Sequence, residues 1–467
     1  MKKAPFERYA VLYLPWILSL LFASSPQASY LIAWLGSFFI FYLTLSGWVK
    51  PLPHDLSMAE QLMRPILLVQ IIFAGYTCCT SIFFYLNVLG YQDFHKISKY
   101  YLIDYELLEH TAQCQRYYCL GHAAFVTGIL ASMRYPVQKK YYIEHEKVAN
   151  LLFAAAIISF PVSIIFQKVP GLTQFSNQFS SLSFIAGTLA LAFAIPQHKI
   201  WNTLICIILY VFNFYQALIS GYKEPIIISV MVLGIFLYPT YKRLVTVIFV
   251  PLLLAIFMLL PTYNRIFRQN AWAEDVNADE ASQLALDAAL GKGGSDDDSN
   301  WGFLTYRLSE IEMFNDFVKS TPDKIDFYGF QLLKQSAIAV VPRIFWPGKP
   351  ITEDLVMERV YDAGVVYRGS NVSAKPAYIV DTYLSGGTLG VFIGMLIYGI
   401  VAQVISQNAE KLFGGYVLGT ALIFSGLFQI MWRGLSFEFL INSVFWAYIS
   451  MLLIHRLLLA THTLKKI

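Results

Sequence analysis

The stretch "YLIAWLGSFFIFYLTLSGW", residues 30–48, decides the fold of this chain. It is almost wholly apolar and holds no charged residue. A helix needs about 20 such residues to cross the roughly 30 Å hydrocarbon core of a bilayer. A membrane β-barrel strand would alternate apolar and polar residues, and this stretch does not. It therefore predicts a transmembrane helix.

The same pattern recurs along the 467 residues, of which 57% are hydrophobic and only 14% charged. A soluble protein would carry about 25% charged residues. We predict an all-α, polytopic membrane protein with about twelve spans. The spans are 9–25, 30–48, 65–90, 115–133, 148–166, 179–196, 201–220, 225–238, 244–261, 379–402, 414–432 and 437–457. No small-residue cleavage site follows the first span, which predicts a retained helix.

Lysine and arginine set the expected orientation, because they concentrate in cytoplasmic loops. The connector 134–147 is one such loop, and both termini are also basic. The sequence thus predicts cytoplasmic termini, nine spans in 1–261, a large outer loop at 262–378 and three spans in 379–467. The net charge of +4 reflects this topology, so no nucleic-acid partner is expected.

The large loop is predicted to contain amphipathic helices. In "WGFLTYRLSEIEMFNDFVKS" (301–320), apolar residues recur at helical spacing, which places Arg307 and Glu310 one turn apart. "GFQLLKQSAIAVVP" (329–342) reads as a surface or re-entrant helix. "GKGGSDDDSN" (291–300) reads as a flexible tip; its aspartates could bind a divalent ion, but a solvated turn is favoured. We expect no metal site and no cofactor.

The loop also contains "VPRIFWPGKP", residues 341–350, in which three prolines stiffen the backbone around Arg343 and Lys349. Arginine offers a planar fork of donors that matches phosphate oxygens, and lysine a point charge. Trp346 suits a membrane interface. Two interpretations stay open: this cationic loop binds a lipid-linked pyrophosphate, or it anchors the protein to phospholipid headgroups.

Other outer cations could join it in neutralising a pyrophosphate leaving group, although each alone could equally flank a helix or form an ion pair. They are Lys223, Arg265, Arg307, Arg368, Lys375 and Arg433. The candidates for a general base are Glu224, Glu310 and Asp381. Asn213 and Gln216 form a polar stripe on the seventh span, suited to sugar hydroxyls or to hydrogen bonding between helices. Trp346 and Tyr383 are further candidates for a sugar-binding cavity.

"VPRIFWPGKP", followed by "SAKPAYIVDTYLSGGTLG" (373–390), resembles the O-antigen polymerase (Wzy-type) and oligosaccharide repeat-unit polymerase family. That family shows a Pro-Arg, a tryptophan, a proline, a Lys-Pro and a Gly-rich entry to the next helix. "YRLSE" (306–310) and "SGYKEP" (220–225) also resemble the family, which usually has arginine where Lys223 stands. These motifs cover about 90 residues.

The resemblance implies an inverting, metal-independent glycosyltransferase of the GT-C type at the outer (periplasmic) face of a bacterial inner membrane. The donor would be a glycan on undecaprenyl pyrophosphate, and the acceptor another lipid-linked repeat unit. Arg343 and Lys349 would lie near the pyrophosphate, with Arg307 and Glu310 as further motif residues. The bilayer is the expected surroundings, and a chain-length regulator protein is a candidate partner.

Three alternatives stay open. An O-antigen ligase would use the same donor and transfer its glycan to lipid A core. A transferase with a lipid-monophosphate donor often has acids in its first outer loop, whereas here that loop is "SSPQAS" (24–29). A lipid-linked glycan transporter would suit twelve spans, but the sequence shows no internal repeat of the kind common in transporters.

Overall fold

The computed structural model describes residues 5–169, 171–198, 200–219, 224–273, 277–290, 298–370 and 372–467. These residues are mainly helical. The α-helices are Phe6–Ala10, Leu14–Leu21, Pro26–Leu45, Leu68–Gln70, Ile82–Val88, Tyr105–Ser132, His145–Lys168, Ser176–Ala194, Ile200–Ile219, Glu224–Arg268, Ala278–Ala289, Asp298–Tyr306, Ile311–Ser320, Gln331–Val340, Thr352–Asp362, Tyr378–Leu412, Ser425–Leu427, Ile430–Arg433 and Phe437–Ala460. Short 3₁₀ helices cover Val11–Tyr13 and Thr173–Phe175, and π-helices cover Ile71–Cys79, Gln269–Ala273 and Val417–Phe424.

Seven helices among the described residues are long and apolar enough to cross a membrane, which confirms the all-α membrane class. They are Pro26–Leu45, Leu68–Val88, Lys147–Lys168, Ile200–Ile219, Ile226–Ala271, Tyr378–Leu412 and Phe437–Ala460. The other predicted spans also fall on mainly helical residues, among them Tyr105–Ser132 and Ser176–Ala194. The total of twelve spans and the three-part division of the chain stay predictions.

The helix Glu224–Arg268 consists of two arms that meet at Tyr241, whose backbone is not helical. The arms fold back on each other: a Cβ added at Gly234 would lie 3.1 Å from the Phe249 ring. Ile226, near the start of the first arm, shares a small core with Phe267, near the end of the second. This hairpin agrees with two separate predicted spans, 225–238 and 244–261.

The helix Tyr378–Leu412 is also bent back on itself, at Gly386 and Gly387, where the backbone leaves the helical region. Gly387 has a φ of 58°, which favours glycine. Residues 378–385, the short arm, run against residues 388–412, the long arm. Gly394 lies against the Thr382 side chain. The tenth span was predicted as one straight helix over 379–402; the structure instead gives a long arm of about 37 Å after the bend.

The long arm packs closely on the helix Tyr105–Ser132 through glycines on both sides. Gly128 faces the carbonyl of Leu396, and Gly399 faces the carbonyl of Phe125, each without room for a Cβ. Small residues allow helix backbones to approach closely, which is how helices associate in membranes. The buried residues around this contact belong to the main hydrophobic core.

The region predicted as one amphipathic helix, 301–320, is two helices with a break between Tyr306 and Ile311. The prediction that Arg307 and Glu310 lie one helical turn apart is therefore wrong. Of the five apolar residues expected on one face, Leu308, Ile311, Phe314 and Val318 are buried, whereas Leu304 is half-buried. The expected helix in 329–342 is present as Gln331–Val340, held to the last helix by the Trp446 indole, which donates to the Val340 carbonyl at 2.8 Å.

The described residues also form two small antiparallel sheets. Tyr91–Gln92 pairs with His95–Lys96 in the loop before the helix Tyr105–Ser132. Tyr141–Tyr142 pairs with Lys465–Lys466, so the C-terminal residues are bound to the connector between two helices.

We expect Gly399→Ala to lower the stability of the protein by about 1–3 kcal/mol, because the added methyl overlaps a backbone carbonyl that cannot move aside. The measurement is the midpoint of thermal unfolding in detergent, followed by intrinsic fluorescence. Gly75→Ala is the control, because a Cβ there meets nothing within 4 Å. Equal midpoints for the two variants would contradict the close helix contact.

Candidate functional site

The turn 307–310 carries both a cation and a carboxylate on the side predicted to face outwards. Glu310 has φ 55° and ψ 17°, the left-handed conformation, and directly precedes the helix Ile311–Ser320. Glycine adopts this conformation readily, whereas other residues pay about 1–3 kcal/mol in strained regions. Such strain persists where the surroundings impose it, which makes this turn a candidate functional element.

Two tyrosines hold the turn in place. The Tyr76 hydroxyl donates to the Arg307 carbonyl at 2.9 Å, and the Tyr118 hydroxyl donates to the Ser309 carbonyl at 3.0 Å. Tyr118 is buried in the helix Tyr105–Ser132, so its bond is shielded from water. The backbone is thereby fixed, with the Arg307 side chain exposed and Glu310 half-buried.

A buried ion triad lies at the short arm. The Arg359 guanidinium donates to both Asp381 oxygens, at 3.0 and 2.9 Å, and to both Glu438 oxygens, at 2.9 and 2.8 Å. Asp381 also accepts a bond from the Phe437 amide at 2.8 Å. All three charged side chains are almost completely buried. The triad connects the helix Thr352–Asp362 to the short arm and to the last helix.

This arrangement changes the interpretation of Asp381. Predicted as a general base, it has both oxygens engaged by Arg359 and no exposure to solvent. The contacts give it a structural part in positioning the short arm. A base must reach the proton that it abstracts, so Glu310 has the more suitable surroundings of the two.

An apolar groove of about 630 Å³ lies beside the triad. Tyr378 and Phe437, next to the triad, are on its wall. The rest of the wall is mainly aliphatic and aromatic and includes Phe330, Leu333, Leu389, Ile393, Leu440 and Phe445. Its size and lining suit a hydrocarbon chain, and Thr382 and Ser385 bring hydroxyl groups to one side.

The two cations of the loop 341–350 differ in their surroundings. Lys349 is buried, and its ammonium donates to the Ala339 and Val341 carbonyls at 2.7 and 2.8 Å, which caps the helix Gln331–Val340. Burial lowers the pKa of Lys349, and the nearby Arg343 lowers it further. Arg343 donates to the Pro350 carbonyl at 3.2 Å in an exposed position. Trp346 is 42% exposed.

Two of the other predicted cations, Arg368 and Lys375, form ion pairs with different carboxylates. Arg368 is exposed and pairs with Glu358 and Asp362, and hydrogen bonding to Glu358 raises the pKa of Arg368. Lys375 pairs with Glu353 at 3.2 Å. Arg265 is exposed in the last turn of its helix. The structure therefore does not gather these cations around one shared partner.

The remaining predicted residues are spread over the molecule. The Asn213 amide lies beside Gly187 of a neighbouring helix, and Gln216 is exposed. Tyr383 is buried and donates to the Thr321 carbonyl at 2.6 Å. Lys223 and the side chains of Glu224 and Arg433 lie outside the described residues.

Sequence reasoning missed Arg359, although a signal was present. It shares the buried face of its helix with Val356 and Val360, at helical spacing. A cation on an otherwise apolar face points to a buried partner.

A second ion triad, also missed, lies near the C-terminal end of the long arm; its Arg64 and Glu410 are buried, and its Asp55 is exposed. Arg64 donates to both Asp55 oxygens, at 2.8 and 2.6 Å, and to both Glu410 oxygens, at 3.1 and 3.2 Å. Its guanidinium lies 3.7 Å from the centre of the Tyr135 ring. The hydrogen bonds from Arg64 lower the pKa of Asp55.

Seven helices of the described residues are long and apolar enough to cross a membrane, which places the chain in the class of mainly helical membrane proteins. The chain belongs to the family described as a domain of unknown function, DUF8712, whose model matches residues 14–466. That match includes both triads, the groove and the turn 307–310. No curated protein and no solved structure matches the chain.

We expect Glu310→Gly to raise the stability of the protein by about 1 kcal/mol, because glycine accepts the left-handed backbone without strain. Glu312→Gly, two residues along, is the matched control. Glu312 lies in the first turn of a helix, so glycine there should lower stability by up to about 1 kcal/mol. Thermal unfolding in detergent measures both, and a fall in both midpoints would contradict the strain at Glu310.

We expect Arg359→Ala to lower stability by about 3–5 kcal/mol, because it leaves two carboxylates buried without a counter-charge. Arg368→Ala is the matched control: it also removes an arginine that binds two carboxylates, but an exposed one. Its loss should cost less than about 1 kcal/mol. The same unfolding measurement applies, and similar costs for the two variants would mean that the buried triad is not a support of the fold.

Proposed function

We propose that this protein polymerises oligosaccharide repeat units linked to undecaprenyl pyrophosphate, at the periplasmic face of a bacterial inner membrane, with both termini in the cytoplasm. The observation that carries the proposal is the turn 307–310, which holds Arg307 and Glu310 on a strained backbone fixed by two tyrosine hydroxyls. A fixed cation and carboxylate, close together in sequence and on the outer side, suit glycosyl transfer from a phosphorylated donor.

The chemistry would be a single inverting displacement. A hydroxyl of the acceptor sugar attacks the anomeric carbon of the donor, and Glu310 accepts the hydroxyl proton. The bond from the anomeric carbon to the pyrophosphate oxygen breaks, and the lipid pyrophosphate leaves with the electron pair. Arg307 donates hydrogen bonds to the charge that develops on the leaving group. Arg343, half-buried in the loop 341–350, is a second candidate donor.

The apolar groove supports a lipid-linked substrate. The groove has a volume of about 630 Å³, which suits part of an isoprenoid chain. The groove lies next to the triad that holds the helix Thr352–Asp362. The GT-C-like architecture implied by the resemblance belongs to this proposal, as does the prediction of twelve spans.

The first test is deletion of the gene in its host, followed by analysis of the surface glycan and of the lipid-linked pool. Loss of a polymerase leaves single repeat units on the cell surface. Loss of a ligase leaves long lipid-linked polymer with none transferred to lipid A core, and loss of a transporter leaves single lipid-linked units facing the cytoplasm. Either of the last two outcomes rejects the polymerase.

The second test is reconstitution of the purified chain with lipid-pyrophosphate repeat units in the presence of EDTA. We expect a ladder of glycan lengths whose rate of formation falls about a hundredfold or more in Glu310→Gln and in Arg307→Ala. Lys319→Ala and Glu358→Gln are control variants, because both residues are exposed and ion-paired on the same side. A ladder unaffected by the first two variants would remove the turn from the mechanism.

A further inference from the structure

The hairpin Tyr91–Lys96 has an unusual turn. Its two central residues, Asp93 and Phe94, have φ angles of 48° and 65°, as a two-residue type I′ turn requires. Glycine or asparagine normally occupies these positions, and a bulky residue at positive φ is an outlier. Glycine at position 94 would make the same turn without strain, so the phenyl ring itself needs an explanation.

The Phe94 ring is connected to the turn 307–310. It lies 5.3 Å from the buried Trp301 ring, edge to face. The Trp301 indole donates to Oδ1 of the Asn87 side chain at 3.4 Å, and Nδ2 of the same side chain donates to the Tyr306 hydroxyl at 3.1 Å. Tyr306 directly precedes Arg307. The hairpin and the turn 307–310 are therefore connected through Trp301, Asn87 and Tyr306.

Two aromatic rings of this connection are exposed to solvent. Phe94 is 64% exposed and contacts the buried Trp301, and Tyr306 is 44% exposed and is connected to Trp301 through Asn87. We call Phe94 and Tyr306 the stacking surface. Tyr100 and Tyr105, in the same outer loop, are also exposed. Asp93 directly precedes Phe94 in sequence, and His95, Lys96 and Lys99 lie between Phe94 and Tyr100.

The stacking surface lies above the expected membrane surface. The helix Tyr105–Ser132 begins ten residues before its predicted span at 115–133, which corresponds to about 15 Å of helix. The headgroup region adds only about 5–8 Å on each side of the hydrocarbon core. Measured from the predicted span, the first turn of this helix and the hairpin loop before it lie beyond the phospholipid headgroups, so a purely lipid contact does not account for the rings.

We propose that the stacking surface binds sugar rings of an oligosaccharide. The flat faces of aromatic rings pack on the C–H faces of pyranose sugars, and neighbouring polar groups can bond to the hydroxyls. The inference rests on the proposed function in one respect: the bound oligosaccharide is the acceptor glycan, with its terminal sugar directed to Arg307 and Glu310. The strain at Phe94 is retained because the ring contributes to binding.

The test is binding of lipid-free fragments, made by mild acid hydrolysis of the host's surface polysaccharide, to the full chain in nanodiscs. Saturation-transfer NMR gives the affinity without any need for catalysis. We expect wild type to bind and Phe94→Gly to bind about tenfold more weakly, since glycine keeps the turn but removes the ring. Phe345→Ala, which removes an exposed ring from the loop 341–350, is the matched control and should bind as wild type does.

The inference is overturned if wild type binds no fragment, or if Phe94→Gly binds as well as wild type. It is also overturned if a photo-crosslinking amino acid at position 94 labels lipid instead of glycan. The polymerisation assay separates the two proposals. Binding at Phe94 without any glycan ladder rejects the polymerase and keeps the stacking surface. A ladder with unchanged binding in Phe94→Gly rejects the stacking surface and keeps the polymerase.

Discussion

The buried pairing of Arg359 with Asp381 and Glu438 is the interaction on which the structure around the groove depends. An unpaired charge in this position would be very costly, so the three residues must come together or not be buried at all. Because they belong to three different helices, their pairing fixes the helix Thr352–Asp362, the short arm and the start of the last helix relative to one another. The apolar groove exists because these elements are held in that order.

The long arm is restrained at its other end by the same kind of interaction. Arg64 joins Asp55, in a loop, to Glu410, in the last turns of the long arm. Between the two triads the long arm packs closely, through glycines, against the helix Tyr105–Ser132. That helix also supplies Tyr118, which fixes the turn 307–310. A rigid frame of ion triads and close helix contacts thus supports the strained outer turn, as a precise site requires.

The cations divide into structural and available groups once their partners are known. Lys349 caps a helix and Arg368 neutralises two carboxylates, whereas Arg307 is exposed and Arg343 is half-buried, with one bond to the Pro350 carbonyl. A phosphorylated ligand would find its donors in the second group. The proposed glycosyl transfer and the proposed stacking surface both use this outer region, and they depend on different side chains.

The sequence by itself determined the membrane class, because the length of an apolar run is a local property. That length must match the thickness of the hydrocarbon core of the bilayer. It also indicated the hairpin at Tyr241, the helix Gln331–Val340 and the buried face of 308–318, which follow from local spacing. Only the tertiary structure decided that Arg359 is the partner of Asp381, that the chain folds back at Gly386 and Gly387, and that Glu310 lies in a left-handed turn. These features result from contacts between residues far apart in the chain. The helical spacing of Arg359 indicates that it is buried, but it does not indicate which carboxylates Arg359 binds.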